Sequence, residues 1–412
     1  MTTPSTPHPD YARSLEYLFA QTRAGAPRSA GRMRALMAQL GLLSPRNVIH
    51  VVGTNGKGSV AAALAAAYQA EGVRVGRFLS PHVSDFRERI AVDGEAVSEA
   101  EVVDFVARLK ARGPLELAGA PPAFFELTLA LALEHFARRG VEVAVVEAGV
   151  GAKHDATRAL ENVRSVVLTN VGRDHLDTLG PTLEDVARDK ADAIRPGVPI
   201  LSSATGEAVA VLAEVASARR SPLFLDLPKS RLFELPTGAA PRSPTQERNA
   251  RLAAAALRLA GVSEAAIATG LQATLPGRAE RFSLHGREVL LDGAHNPDAA
   301  EALLELARPP FVLVFGAQRK KLGEETLRVL EPHAERVVIT DVQGEPSALA
   351  QPGRNHIPEP REALREALSS APKSAQVLVA GSFYLAGQLR PLLLQSTLGA
   401  GASGTISARL SP

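Results

Sequence analysis

The chain has 412 residues, a formal net charge of +2, 45% hydrophobic and 22% charged residues, and no cysteine. Such a length suggests two or three domains, the small charge excess argues against a nucleic-acid surface, and the lack of thiols excludes disulfide and thiolate chemistry, which fits the cytoplasm. The first ten residues are polar and proline-rich, so no secretory leader is expected, and no apolar run approaches the ~20 residues of a membrane span.

In chain order, helices are expected over Tyr11–Gln21 and Arg32–Leu40, joined by a loop rich in Gly, Ala, Pro and Arg. The run Val48-Ile49-His50-Val51-Val52 reads as a short buried strand. It feeds Gly53-Thr54-Asn55-Gly56-Lys57-Gly58-Ser59 and then an alanine-rich helix from Val60. Strand, glycine loop, lysine, hydroxyl and helix is the layout of a phosphate-binding loop, with backbone N–H groups and a helix N-terminus offered to phosphate oxygens. Lys57 would reach the β- and γ-phosphates, and the Ser59 hydroxyl would ligate Mg²⁺. The spacing departs from the common pattern, since Gly58 stands where Ser or Thr is usual, and a plain glycine-rich turn is the alternative.

Further strands are expected at Val73–Leu79, Val141–Val146 and Val163–Thr169, with helices over Ser98–Arg112 and Leu127–Arg138. Alternating strands and helices predict a parallel sheet with ligands beyond the carboxyl ends of its strands. Lys57, Ser80, Glu147 and His175 all fall just past such ends. Ser80, Glu147 and His175 form a plausible hard-cation set, because Mg²⁺ favours oxygen and takes few protein carboxylates. His175 reads equally as a loop residue held by Asp174 or Asp177.

Pro276-Gly277-Arg278 looks like a linker into a second α/β unit, with strands at Glu288–Asp292, Phe311–Phe315, Val337–Thr340 and Gln376–Ala380. The expected division is an ATP-binding unit over residues 1–277, a smaller Rossmann-like unit over 278–397, and a flexible tail over 398–412. Asp292 and His295 would face a nucleotide across a cleft or form an Asx-turn before a helix. Arg278 and Asn249 have surface readings too.

Together these segments resemble the folylpolyglutamate synthase / dihydrofolate synthase family of the Mur ligase superfamily. The resemblance rests on Gly53–Ser59, Ser80-Pro81-His82 with Arg87-Glu88-Arg89-Ile90, Phe125-Glu126-Leu127-Thr128, Glu147–Gly151 with Asp155-Ala156-Thr157, Asp174-His175, Lys190-Ala191, Pro276-Gly277-Arg278, Asp292–Pro297 and Gly381-Ser382-Phe383. It implies a P-loop ATPase sheet followed by a Rossmann-like domain, and an ATP- and Mg²⁺-dependent ligase. Such an enzyme adds L-glutamate to a folate or dihydropteroate carboxylate through an acyl phosphate.

The resemblance puts ATP at Gly53, Thr54, Asn55, Gly56, Lys57, Gly58 and Ser59, with Asn249, Arg278 and Asp292 also on the nucleotide. Magnesium falls at Ser59, Ser80, Glu147 and His175. The pterin side takes Ala26, Pro27, Arg28, His82, Ala123, Phe124, Phe125, Glu126, His154, Asp155 and Ala156. Lys57, His295 and Lys190 are the implied catalytic residues. Lys190 has Val186, Ala187, Ala193 and Ile194 as helix neighbours, so its amine is buried or snorkels. The resemblance implies that it carries a carboxylated Nζ. Gly151-Ala152-Lys153, Arg158 and Gln318–Lys321 depart from the family pattern. A cell-wall Mur ligase and a non-catalytic ATP switch are the competing functions, and a monomer is expected.

Overall fold

The computed structural model describes residues 9–21, 28–240, 242–284, 286–318 and 322–400, with side chains as far as Ser396. Ala26 and Pro27 lie outside the described residues, as do Lys321 and residues 401–412.

Helices α1 (Pro9–Ala20) and α2 (Ala30–Leu40) precede the first strand, β1 (Val48–Val52), whose five residues are all buried. The P-loop helix α3 (Lys57–Ala70) follows, then β2 (Val75–Phe78), β3 (Ile90–Val92), β4 (Glu95–Ala96), α4 (Glu99–Arg112), α5 (Phe124–Arg138), β5 (Val143–Glu147), β6 (Val163–Leu168), β7 (Ile200–Ser202) and β8 (Leu223–Leu225). These strands form one eight-stranded sheet in the order β4-β3-β2-β5-β1-β6-β7-β8. It is parallel except that β3 runs antiparallel to β2 and β4 antiparallel to β3.

Alternation along β1 decides which layer each side chain meets. Val48 and Val52 pack into the cluster that holds α2 and α5 residues, whereas Ile49 and Val51 pack with α3. β1 pairs in parallel with β5 on one side and β6 on the other, so its loop opens between theirs.

The second sheet comprises β9 (Glu280–Leu284), β10 (Arg287–Leu291), β11 (Phe311–Phe315), β12 (Ala334–Ile339) and β13 (Gln376–Ala380), in the order β12-β11-β13-β10-β9. The expected strands at Phe311–Phe315 and Gln376–Ala380 are found at those bounds. β9, absent from the sequence expectation, pairs antiparallel with β10 at the edge.

Two further expectations change. Pro276–Arg278 is not a surface linker: Gly277 accepts from Gly293 N, and Arg278 stacks over the Phe383 ring at 4.2 Å. The last helix, Phe383–Ala400, runs past the expected start of a tail at 398. Leu385, Leu389 and Leu393 recur every fourth residue and are fully buried with the second sheet's core, which carries the helix onward. Among the described residues no helix is long and apolar enough to cross a membrane.

Candidate active site

The phosphate loop is set by two glycines at which a side chain would be strained and crowded. Gly53 has φ 142, and a Cβ there would lie 2.0 Å from Thr169 Oγ1. Gly56, at φ 80, would put one 2.6 Å from Asn249 Oδ1. Gly56 is also the N-cap of α3 and supplies no side-chain cap, so the first N–H groups of the helix remain offered to an anion. The loop is pinned from the strand beside it: Asn55 N donates to Asn170 Oδ1 at 2.8 Å, and Thr169 Oγ1 donates to Asn55 O at 2.6 Å. Lys57 Nζ folds back to Thr54 O at 3.0 Å.

Gly58, at the usual hydroxyl position, is closely surrounded. A Cβ there would stand 3.3 Å from Leu275, 3.4 Å from the Arg278 guanidinium and 3.6 Å from Glu147 Oε2. The loop thus lies directly against Glu147 and Arg278. Glu147 ends β5 with 2% exposure, and its Oε2 accepts from Ser80 N at 3.0 Å. Burial pushes its carboxyl pKa up, against the opposing pull of Lys57, Arg278, the Ser80 N–H and Arg89. Ser80 and Glu147 are therefore brought together.

His175 lies on the loop after β6, with φ 53 and its Nε2 3.7 Å from Asp174 Oδ2. Among the described residues no three or more His, Asp or Glu side chains converge as a preformed metal cage.

Lys190, on the helix Leu183–Ala191, is 3% exposed and its Nζ donates to Gly53 O at 3.1 Å. Burial, then the Lys57 charge, lowers its pKa to about 7. The buried reading holds and the snorkelling one does not.

From the second half, Asp292 Oδ1 accepts from Ala294 N and Oδ2 from Ala279 N, both at 2.7 Å. That is the turn alternative, realised beside the Arg278 charge. His295 Nδ1 donates to the Gly293 carbonyl at 2.8 Å, leaving Nε2 3.5 Å from Asp174 Oδ2. Asp174 thus sits between two imidazoles, one from each half. Asn296, fully buried, caps the helix Pro297–Leu304 and pairs its amide with that of Asn55 at 3.1 Å in both directions. Sequence reading passed over Asn296, although a buried Asn before Pro is an N-cap signal.

Past the end of β5, three of the expected acceptor residues, Phe125, Asp155 and Arg28, meet around Gly149 and Val150. A Cβ at Gly149 would meet the Phe125 ring at 2.8 Å and Asp155 Oδ2 at 3.1 Å. Arg28 Nη1 reaches Val150 O at 3.4 Å. Ala156 is buried and His154 exposed. The Phe124 ring stacks on Phe19 with centroids 5.1 Å apart, and the Arg89 guanidinium lies over it at 5.1 Å. Arg89 Nε donates to His82 Nδ1 at 2.7 Å, and burial with that cation lowers the His82 pKa to about 4. Phe19, 42% exposed on α1, carries no local signal that separates it from any other apolar helix position.

Glu126 behaves differently from its neighbours. Its two oxygens accept from Arg32 Nε at 3.0 Å, Arg32 Nη2 at 3.1 Å and Ala123 N at 2.7 Å, and Arg32 also donates to the Leu117 and Pro121 carbonyls. The carboxylate is occupied in tying α2 to α5. The departures also find local roles: Arg158 pairs with Asp192 at 3.0 Å, Ala152 N donates to Asp189 Oδ1 at 2.7 Å, and Lys153 points to solvent.

A P-loop sheet whose loop is met by a second α/β half is the Mur ligase architecture. The Mur ligase middle domain matches residues 108–196, and the Mur ligase glutamate ligase domain matches residues 277–383. The chain is 30% identical to folylpolyglutamate synthase of Lacticaseibacillus casei, over 93% of this chain and 99% of that one. It is 32% identical to dihydrofolate synthase/folylpolyglutamate synthase of Escherichia coli, over 86% and 88%. Among solved structures, Escherichia coli FolC in complex with DHPP and ADP superposes with a TM-score of 0.81 at 28% identity, covering 98% of this chain and all of that one. The bifunctional Yersinia pestis enzyme complexed with AMPPNP and Mn superposes at 0.79 and 26% identity, covering 95% and 100%. The chain belongs to the folylpolyglutamate synthase / dihydrofolate synthase family.

Proposed function

We propose that this chain is an ATP-dependent ligase that joins L-glutamate to the carboxylate of a folate or dihydropteroate acceptor through an acyl phosphate. The carrying observation is the placement of Glu147 and Ser80 against the phosphate loop, with Arg278 and the Asp292–Asn296 turn closing from the second half. The donor set suits a hard dication: one buried carboxylate with a single backbone donor, the Ser80 and Ser59 hydroxyls, and imidazole His175 on the adjoining loop. Glu147, Ser80, Ser59 and His175 would hold Mg²⁺, which supplies charge neutralisation on the transferring phosphoryl.

The chain's own residues do the rest. Gly53 to Ser59 cradle the polyphosphate, and Lys57 swings from Thr54 O to the phosphates. Asn249, Arg278 and Asp292 border the nucleotide. Phe124, Phe125, His82, Arg28 and the His154–Ala156 turn line the acceptor side, while Ala123 and Glu126 shape it from behind. His295, held by Gly293 O and facing Asp174, closes the cleft over the acyl phosphate and keeps water from it. Lys190 has the buried, half-neutral amine that carboxylation of Nζ requires. In this reading the ATP-binding unit ends at residue 277, the second unit begins at Arg278, and the enzyme works as a cytoplasmic monomer.

The test is phosphate release from ATP in an acceptor screen. Release that needs both glutamate and a pteroate or folate supports the reading. Release with a muramyl nucleotide acceptor instead, or ATP binding with no acceptor-dependent turnover, overturns it. Comparing dihydropteroate with reduced folates tells whether one or both family activities are present.

A further inference from the structure

His50 stands in the middle of β1 with 1% exposure, three residues before the phosphate loop. An imidazole there is an expensive choice, because its Nδ1 is buried without a hydrogen-bond partner among the described residues. A leucine would fill the same layer at no such cost. The other ring nitrogen shows what the imidazole does.

His50 Nε2 lies 2.8 Å from Thr157 Oγ1, and that hydroxyl gives its own proton to Asp155 Oδ1 at 2.6 Å. With its hydrogen committed to the carboxylate, the Thr157 oxygen can only accept, so His50 is the Nε2–H tautomer. Asp155 in turn accepts from Thr157 N at 3.0 Å through Oδ1, and from Gly149 N at 3.1 Å and Val150 N at 3.0 Å through Oδ2. The carboxylate therefore has four donors from its own chain. It is an organiser of the 149–157 turn more than a free acceptor for a ligand.

We infer that His50 is a positioning residue for the acceptor pocket: through Thr157 and Asp155 it fixes the Gly149–Val150 backbone that forms the pocket wall beside Phe125. The inference rests on the reading of that pocket as the pterin side. It ties the strand that carries the phosphate loop to the wall of the acceptor site by one chain of hydrogen bonds.

The variants H50L, H50Q, H50N and T157V test it in the full chain. Glutamine places an N–H near the position of Nε2 and asparagine near Nδ1, so only H50Q can still donate to Thr157. The protein has no tryptophan, which leaves the pterin's own fluorescence clear as a readout of binding. H50L, H50N and T157V should weaken acceptor binding about tenfold, the factor equivalent to ~1.4 kcal/mol. ATP affinity should stay at the wild-type value, H50Q should restore acceptor affinity, and H50L/T157V should be no worse than either single change. Amide exchange of residues 149–157 should quicken in H50L and T157V but not in H50Q.

The inference is overturned if H50L and T157V bind acceptor as wild type does, if ATP affinity falls equally, or if folded H50Q behaves as H50L. T157V decides alone should H50L fail to fold. If the wild type binds no pterin, the function reading falls, while the exchange pattern still decides the linkage from β1 to the turn.

Discussion

Replacing Lys190 by methionine should make the protein more stable and inactive. The wild-type amine is 3% exposed with one hydrogen bond, to Gly53 O, and its pKa is lowered to about 7 chiefly by burial. An unfolded lysine titrates near 10.4, so at pH 7 the folded chain forgoes ~4 kcal/mol of protonation free energy that the unfolded chain retains. Methionine removes that cost and gives up a hydrogen bond worth ~1 kcal/mol, leaving K190M ahead by about 3 kcal/mol. The sign with pH follows from proton counts. A base with a depressed folded pKa binds fewer protons when folded, so the wild type gains stability as pH rises from about 7 to about 10. The advantage of K190M should therefore shrink to near zero by about pH 9.5. Urea unfolding of both proteins at pH 7 and pH 9.5 measures this directly. A pH-independent gap, or a K190M less stable at pH 7, would refute a depressed buried amine. Activity lost in Lys190→Ala and partly restored by short carboxylic acids would support a carboxylated Nζ.

Lys57→Ala should abolish turnover without changing the circular dichroism, because Lys57 sits on the loop, half-buried, with its Nζ donating to the loop's own Thr54 carbonyl; ligase activity at saturating ATP is the check. Glu147→Gln should raise the Mg²⁺ concentration needed for activity, since a neutral amide is a much weaker ligand for a hard dication, and an unchanged metal titration would remove Glu147 from the site. Gly56→Ala should cut ATP affinity severely, because φ is 80 and the new Cβ would meet Asn249 at 2.6 Å; calorimetric titration with ATP reads the loss.

What the sequence reveals and what it hides divide along a physical line. The phosphate loop is legible because its parts are contiguous, and β1, β5 and β6 because a buried parallel strand needs a predominantly apolar, β-branched run, interrupted here only by His50 in β1 and by Arg164 and Ser165 in β6. β9 escapes notice because Glu280, Arg281 and Ser283 leave only Phe282 and Leu284 buried on an edge. The candidate residues follow the same rule. Lys190 can be placed on the buried face of its helix from its neighbours alone, while only the fold decides between burial and snorkelling for its amine. Glu126 looks like a ligand contact until Arg32, 94 residues away, is seen to take both its oxygens. His50 looks like a strand filler, and Asp174 like a mere support for His175, until the loops after β5 and β6 and the second half are brought up to them. Residue type is local, but the partner that uses up a polar group is long-range.

That accounting singles out one carboxylate among three. Glu126 has donors from Arg32 and Ala123 N, and Asp155 has four donors from its own turn. Glu147, just as buried, accepts from the Ser80 N–H alone among the described residues, yet Lys57, Arg278 and Arg89 all pull on it. A carboxylate so placed retains lone pairs for a hard cation, and the guanidinium and ammonium groups around it leave positive charge in excess even with Asp292 beside Arg278. A metal ion alone would deepen that excess in a poorly solvated site. The polyphosphate of a nucleotide reverses it, bringing oxygen ligands for the metal and negative charge for Lys57 and Arg278 together. The electrostatics of the chain therefore favour metal and nucleotide entering as one complex, so Mg²⁺ without nucleotide should bind far more weakly than with it.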